Sequence, residues 1–71
     1  MKDHDLIKLA NFKMPFGKYK DVYLVYIPES YIIWILNNTI LNKSIKDNLL
    51  LIKEIKDNGL EYLIFPLIKK G

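Results

Sequence analysis

The sequence predicts a small α+β domain: a short N-terminal helix, a two-stranded β-hairpin packed on two main helices, and a short C-terminal helix. Three observations carry this expectation. Residues 14–27 place a proline and a glycine ahead of β-branched and aromatic residues, the composition of short strands joined by a turn. Tyr31 to Leu36 is the most apolar run and follows Pro28-Glu29-Ser30, where a proline in the first turn and an acid at the positive end of the dipole mark a helix start. Ile45, Leu49, Ile52 and Ile55 stand three or four apart, the period of an amphipathic helix.

Each element follows from local chemistry. Asp3 to Asn11 reads as a helix: Asp3 or Asp5 can cap its first free N–H groups, Leu6, Ile7, Leu9 and Ala10 form its apolar stripe, and Asn11 ends it. Pro15 lacks an N–H and restricts Met14 to extended conformations, so no helix crosses them. Phe16 to Lys20 is expected as the first strand, with Phe16, Lys18 and Lys20 on one side and Gly17 and Tyr19 on the other. Gly17 leaves room for a backbone or a ring to approach. Asp21 favours the turn, and Val22 to Ile27 is the second strand.

The run from Tyr31 to Leu36 is apolar on every face, and a small domain can hardly cover every face of a helix. Residues 39–43 read as a linker. Ser44, three residues before Asp47, forms a loose capping box for a helix from Ile45 to about Asn58. Asn58-Gly59 is the stop, with Gly59 suited to a left-handed cap. Leu60 to Phe65 reads as one more short helix stopped by Pro66; Leu67 and Ile68 are expected to dock back, with Lys69-Lys70-Gly71 frayed. Pro15, Gly17, Pro28, Gly59 and Pro66 are thus the structural positions.

At 71 residues the chain is one domain, with an ordered core expected at about 6–67. Such a core supplies a net stability on the order of 3–5 kcal/mol. Hydrophobic residues at 51% argue against a disordered tail. With no cysteine, disulfides and thiolate metal sites are excluded. Net charge is +3 and every cation is a lysine. That balance suits an anionic partner, while the absence of arginine argues against bidentate readout of guanine or phosphate. No apolar run approaches the length of a membrane span, and Met1-Lys2-Asp3-His4-Asp5 does not open a secretory signal. A cytoplasmic protein with no membrane partner is expected.

Several groups of residues resemble a known family, in its order and at nearly its spacing: Met14-Pro15-Phe16-Gly17-Lys18-Tyr19-Lys20, Ile27-Pro28-Glu29-Ser30-Tyr31 with Trp34, Glu54-Ile55-Lys56, Asn58-Gly59-Leu60-Glu61 and Pro66-Leu67. It is the small bacterial family described as "putative quorum-sensing-regulated virulence factors", and the likeness runs from about Leu6 to Leu67. The front half also resembles the C-terminal module of exodeoxyribonuclease X-like proteins, with its Phe-Gly-Lys-Tyr-Lys segment and a Tyr and Trp helix. Asp21 stands where the family usually has glycine, and residues 37–44 lack its Gly-Phe-Pro and later glycine. The family name implies a regulatory association and supplies no catalytic residues to carry over.

No enzyme is expected. Asp3-His4-Asp5 lacks the three or four convergent ligands of a metal site. Glu54, Asp57 and Glu61 are interleaved with Lys53 and Lys56 and read as a solvated helix face rather than an acid–base or Mg²⁺ site. Ser30 and Ser44 suit helix starts and have no histidine base near them in sequence. No cofactor fingerprint is present. Phe16, Tyr19, Tyr31 and Trp34, flanked by Lys18 and Lys20, read either as a platform for single-stranded nucleic acid or as the core of the domain. The first reading gives a weakly nucleic-acid-binding accessory module. The alternative is a protein-interaction or regulatory adaptor, monomeric or homodimeric, that uses the apolar surface from Tyr31 to Leu36.

Overall fold

The computed structural model describes residues 3–69, with side chains from Asp5 onward. Three helices make the frame: α1 (Asp3–Ala10), α2 (Glu29–Asn38) and α3 (Lys43–Asp57). Single 3₁₀ turns stand at Leu24–Tyr26, Glu61–Leu63 and Phe65–Leu67. The domain is helical rather than α+β. The expected hairpin is absent, and the β pairing among the described residues is one antiparallel bridge between Lys13 and Tyr23.

The reason lies in which residues need burial. A strand sends alternate side chains to opposite faces, yet Leu24, Val25 and Ile27 are all buried. A 3₁₀ turn carries Leu24 and Val25 inward, with Ile27 buried just after it, and leaves Tyr26 exposed while Tyr23 is half-buried against the core. The proposed first strand fails for another reason: Gly17 and Asp21 both take left-handed conformations, φ 81° and 67°, so residues 17–21 turn back on themselves. Met14 closes the loop, donating to the Val22 carbonyl at 2.9 Å and accepting from the Asp21 N–H at 2.8 Å. Asp21 holds a left-handed position, a conformation an Asp tolerates better than most residues.

α2 and α3 pack on each other through a four-residue connection, 39–42, and form the largest helix–helix contact. Ile32 and Ile35 of α2 and Leu49 and Ile52 of α3 are buried; Ile45 and Ile55 flank them against the core. α3 begins two residues before the expected start because Asn42, not Ser44, caps it: the Asn42 side chain accepts from the Ile45 N–H at 2.9 Å. α3 ends in a Schellman motif, with Gly59 at φ 66°, its N–H donating to the Lys56 carbonyl and the Leu60 N–H to the Ile55 carbonyl. Pro66 does not stop a helix. It sits in the first turn of the last 3₁₀ segment, where its missing N–H costs nothing.

α1 buries Leu9 and Ala10 against the turn at 24–26 and the final turn. Asn11 ends α1 and also fastens the far end of the chain. Its amide donates to the carbonyls of Ile7 and Leu67, both at 2.9 Å, and its oxygen accepts from the Lys69 N–H at 2.7 Å. Lys56 donates to the Val25 carbonyl at 2.7 Å and ties the 24–26 turn to α3. The fraying expected of Lys70 and Gly71 concerns positions outside the described residues. No helix among the described residues is long and apolar enough to cross a membrane.

Candidate functional site

Tyr31 and Trp34 stand three apart on α2, so their rings emerge one above the other. The ring centroids lie 6.1 Å apart at 30°, a stacked pair. The loop after Pro15 brings Tyr19 edge-on to Tyr31 at 4.7 Å. Gly17 permits this approach: a Cβ there would stand 2.8 Å from the Tyr31 hydroxyl. Above Tyr19 lies the Lys18 amine, 5.6 Å from the ring centroid, a range in which a cation is attracted to the ring face. Tyr19 and Tyr31 are half-buried against the core, whereas Trp34 keeps 55% of its surface exposed. The result is a ledge with an anchored base, an open indole and a lysine at its edge.

The sequence candidates divide here. Lys18, Tyr19, Tyr31 and Trp34 come together. Phe16 is half-buried and packs against the core instead. Lys20 is exposed, its backbone N–H closing the turn onto the Gly17 carbonyl at 3.2 Å. Pro15 and Pro28 lie on the surface at the loop's start and before α2. The side chains of Asp3 and His4 lie outside those described, and among the described residues no group of three or more His, Cys, Asp or Glu gathers that could hold a metal ion.

Three features escaped the sequence. Tyr26 stacks on Phe65 at 5.6 Å and meets Tyr23 edge-on at 6.3 Å, with the Lys13 amine 5.1 Å over the Tyr23 ring. Only the Lys13–Tyr23 bridge hints at this, and a bridge is invisible without its register. Next, a groove of about 400 Å³ runs between α2 and α3, lined by Ile33, Leu36 and Asn37 on one side and Lys46, Leu50 and Lys53 on the other. Lys46, Leu50 and Lys53 are four and three apart, so the spacing was available; the partner ridge was not.

The third is a carboxylate pair. Glu29 in the first turn of α2 and Asp57 in the last turn of α3 act on each other's titration: the neighbouring Asp57 raises the Glu29 pKa above its ordinary value, and Glu29 lowers that of Asp57. Lys53 reaches Asp57 at 2.8 Å, which adds to the lowering and raises the Lys53 pKa. Asp57 is exposed and Glu29 and Lys53 are partly so, so the pair resembles the interacting carboxylates of catalytic dyads without their enclosure.

Chemically, the ledge can stack a planar group and neutralise an adjacent anion, and the groove can take apolar side chains. No solved structure matches the chain. The proteins called "Uncharacterized protein YpeB" in Escherichia coli K12 and in Escherichia coli O157:H7 are each 38% identical over 68 residues, covering 94% of this chain and 94% of the relative. The family described as "Putative quorum-sensing-regulated virulence factor" matches residues 2–67, almost the whole length. A match of that extent, with relatives of the same length, establishes that this chain belongs to that family.

Proposed function

We propose that this protein is a non-enzymatic accessory module that contacts single-stranded nucleic acid weakly through the Tyr19–Tyr31–Trp34 ledge. The observation that carries this reading is an exposed Trp34 stacked on a ring that is itself anchored, with Lys18 beside it. Bases stack on such rings without regard to sequence, and lysines follow the phosphates. The Phe-Gly-Lys-Tyr-Lys resemblance to the exodeoxyribonuclease X-like module points the same way. A short single-stranded DNA titrated against Trp34 fluorescence tests it. Quenching that weakens with salt, with a slope of about one to three phosphates, and a shallower slope in Lys18→Ala/Lys20→Ala are expected. No quenching at low salt overturns the reading.

A second reading is supported by a different surface. Ile33 of α2 and Leu50 of α3 stay 39% and 46% exposed on the two walls of the groove, which suits a protein-interaction adaptor.

A further inference from the structure

We infer that the α2–α3 groove docks an acidic amphipathic helix of a partner protein; this rests on the protein-interaction reading and names its partner class. The apolar lining is aliphatic: Ile33 and Leu36 from α2 and Leu50 from α3. The groove has about 400 Å³ of open space, at the lower end of the clefts that accept apolar ligands and enough to seat the anchor side chains of a helix. A helix laid in such a groove is read through apolar residues at i, i+3, i+4 and i+7.

The charge selects the occupant. Lys46 and Lys53 bracket Leu50 along one ridge of α3, and among the described residues no carboxylate lines the groove. Lys53 is held by Asp57 at 2.8 Å and also feels the Glu29 carboxyl, but the Asp57 pair is a solvent-exposed i,i+4 pair, a kind that exchanges at little cost. A second copy of this chain, packed face to face about a two-fold axis, would bring two copies of Lys46 and Lys53 into one interface. Nucleic acid finds no aromatic ring in the lining on which to stack. A helix whose leucines are flanked by glutamates meets both the apolar lining and the rim.

The test uses the full chain and two synthetic peptides of identical leucine pattern, one flanked by glutamates and one by lysines, followed by amide chemical shifts. The acidic peptide is expected to shift Ile33, Leu36 and Leu50 and to bind about tenfold more tightly than the basic one, from two lysines each contributing a modest exposed pair. Lys46→Glu should narrow that preference, and Leu50→Glu, at a half-exposed site that leaves the core intact, should abolish binding. Equal binding of both peptides, lost in Leu50→Glu, overturns the acidic partner while leaving the protein-interaction reading standing. Absence of shifts from either peptide at millimolar concentration overturns both. Self-association abolished by Leu50→Glu overturns the proposal in favour of a second copy.

Discussion

α3 and the loop at 12–27 hold the same core by opposite means. α3 does so by repetition: Ile45, Leu49, Ile52 and Ile55 recur at helical spacing, and any residue of that kind serves. The loop does so by individual positions. Gly17 and Asp21 supply two left-handed turns, Met14 closes both ends by hydrogen bonds, and Leu24, Val25 and Ile27 enter the core on consecutive and alternate positions that no regular strand allows. A periodic element is specified by its average composition, whereas an aperiodic one is specified by particular dihedral angles. The ledge is built where the two kinds meet, with Tyr19 from the loop against Tyr31 from a helix.

The largest effect should come from the periodic side. Ile52 is fully buried, and Ile52→Ala should cost about 2–5 kcal/mol, nearly all that a domain of this size possesses. Loss of far-UV circular dichroism at room temperature is the expected result. Retention of a cooperative melt close to that of the wild type would show that the loop, not α3, carries the core. Next comes a pair of glycines with the same sign of φ. Gly59→Ala meets nothing within 4 Å, so it should cost only the left-handed strain, about 1 kcal/mol. Gly17→Ala adds a collision with the Tyr31 hydroxyl and should cost about 2–4 kcal/mol, with a change in Trp34 emission as the stacked ring shifts. Denaturant melts of the two variants compare a crowded site with an open one; equal losses would mean that Tyr31 yields freely.

The contrast also explains what was legible. The presence of α1 and α3 follows from their stripes and that of α2 from its Pro28-Glu29 start, and Gly59 marks the end of α3, because these signals act within a turn of the chain. The start of α3 lies two residues before the expected one because Asn42 and Ser44 are both good caps, and it is the Asn42 side chain that accepts from the Ile45 N–H. The loop was misread because Val22 to Ile27 has strand composition, while its dihedrals are set by hydrogen bonds to residues up to 31 positions away, as from Lys56 to Val25. For the site, the Tyr31–Trp34 spacing was readable and the approach of Tyr19 was not. The groove needed both ridges, and the Tyr26–Phe65 stack joins residues with no local signal at all.

Asp21 sharpens the account of the loop from the other direction. Its φ of 67° is a conformation that glycine adopts without a Cβ penalty. Asp21→Gly should therefore leave stability unchanged or raise it by up to about 1 kcal/mol, relief of the left-handed strain being offset by the greater freedom of glycine in the unfolded chain. Asp21→Val, β-branched and unsuited to positive φ, should lower it. If both variants melt alike, the turn is not what holds residues 14–22, and the Met14 hydrogen bonds must be re-forming around a different backbone.

The smallest effect concerns the junction of α2 and α3. The proximity of the two carboxyls raises Glu29 and lowers Asp57, with Lys53 adding to the second. The raised Glu29 contributes stability that is full below its unfolded pKa and fades as pH rises through its folded value. The lowered Asp57 contributes the reverse, full above its unfolded pKa and lost as pH falls through its folded value. The two oppose each other across the acid range, so each offsets part of the other's effect on the melting temperature while the individual carboxyls titrate apart. Carboxyl NMR should find Glu29 titrating above Asp57, and Asp57→Asn should bring Glu29 back down by removing the neighbouring charge. A Glu29 titration unmoved by Asp57→Asn would mean that the ends of α2 and α3 do not hold the two carboxyls together in solution, and the groove between those helices would then be more mobile than its lining suggests.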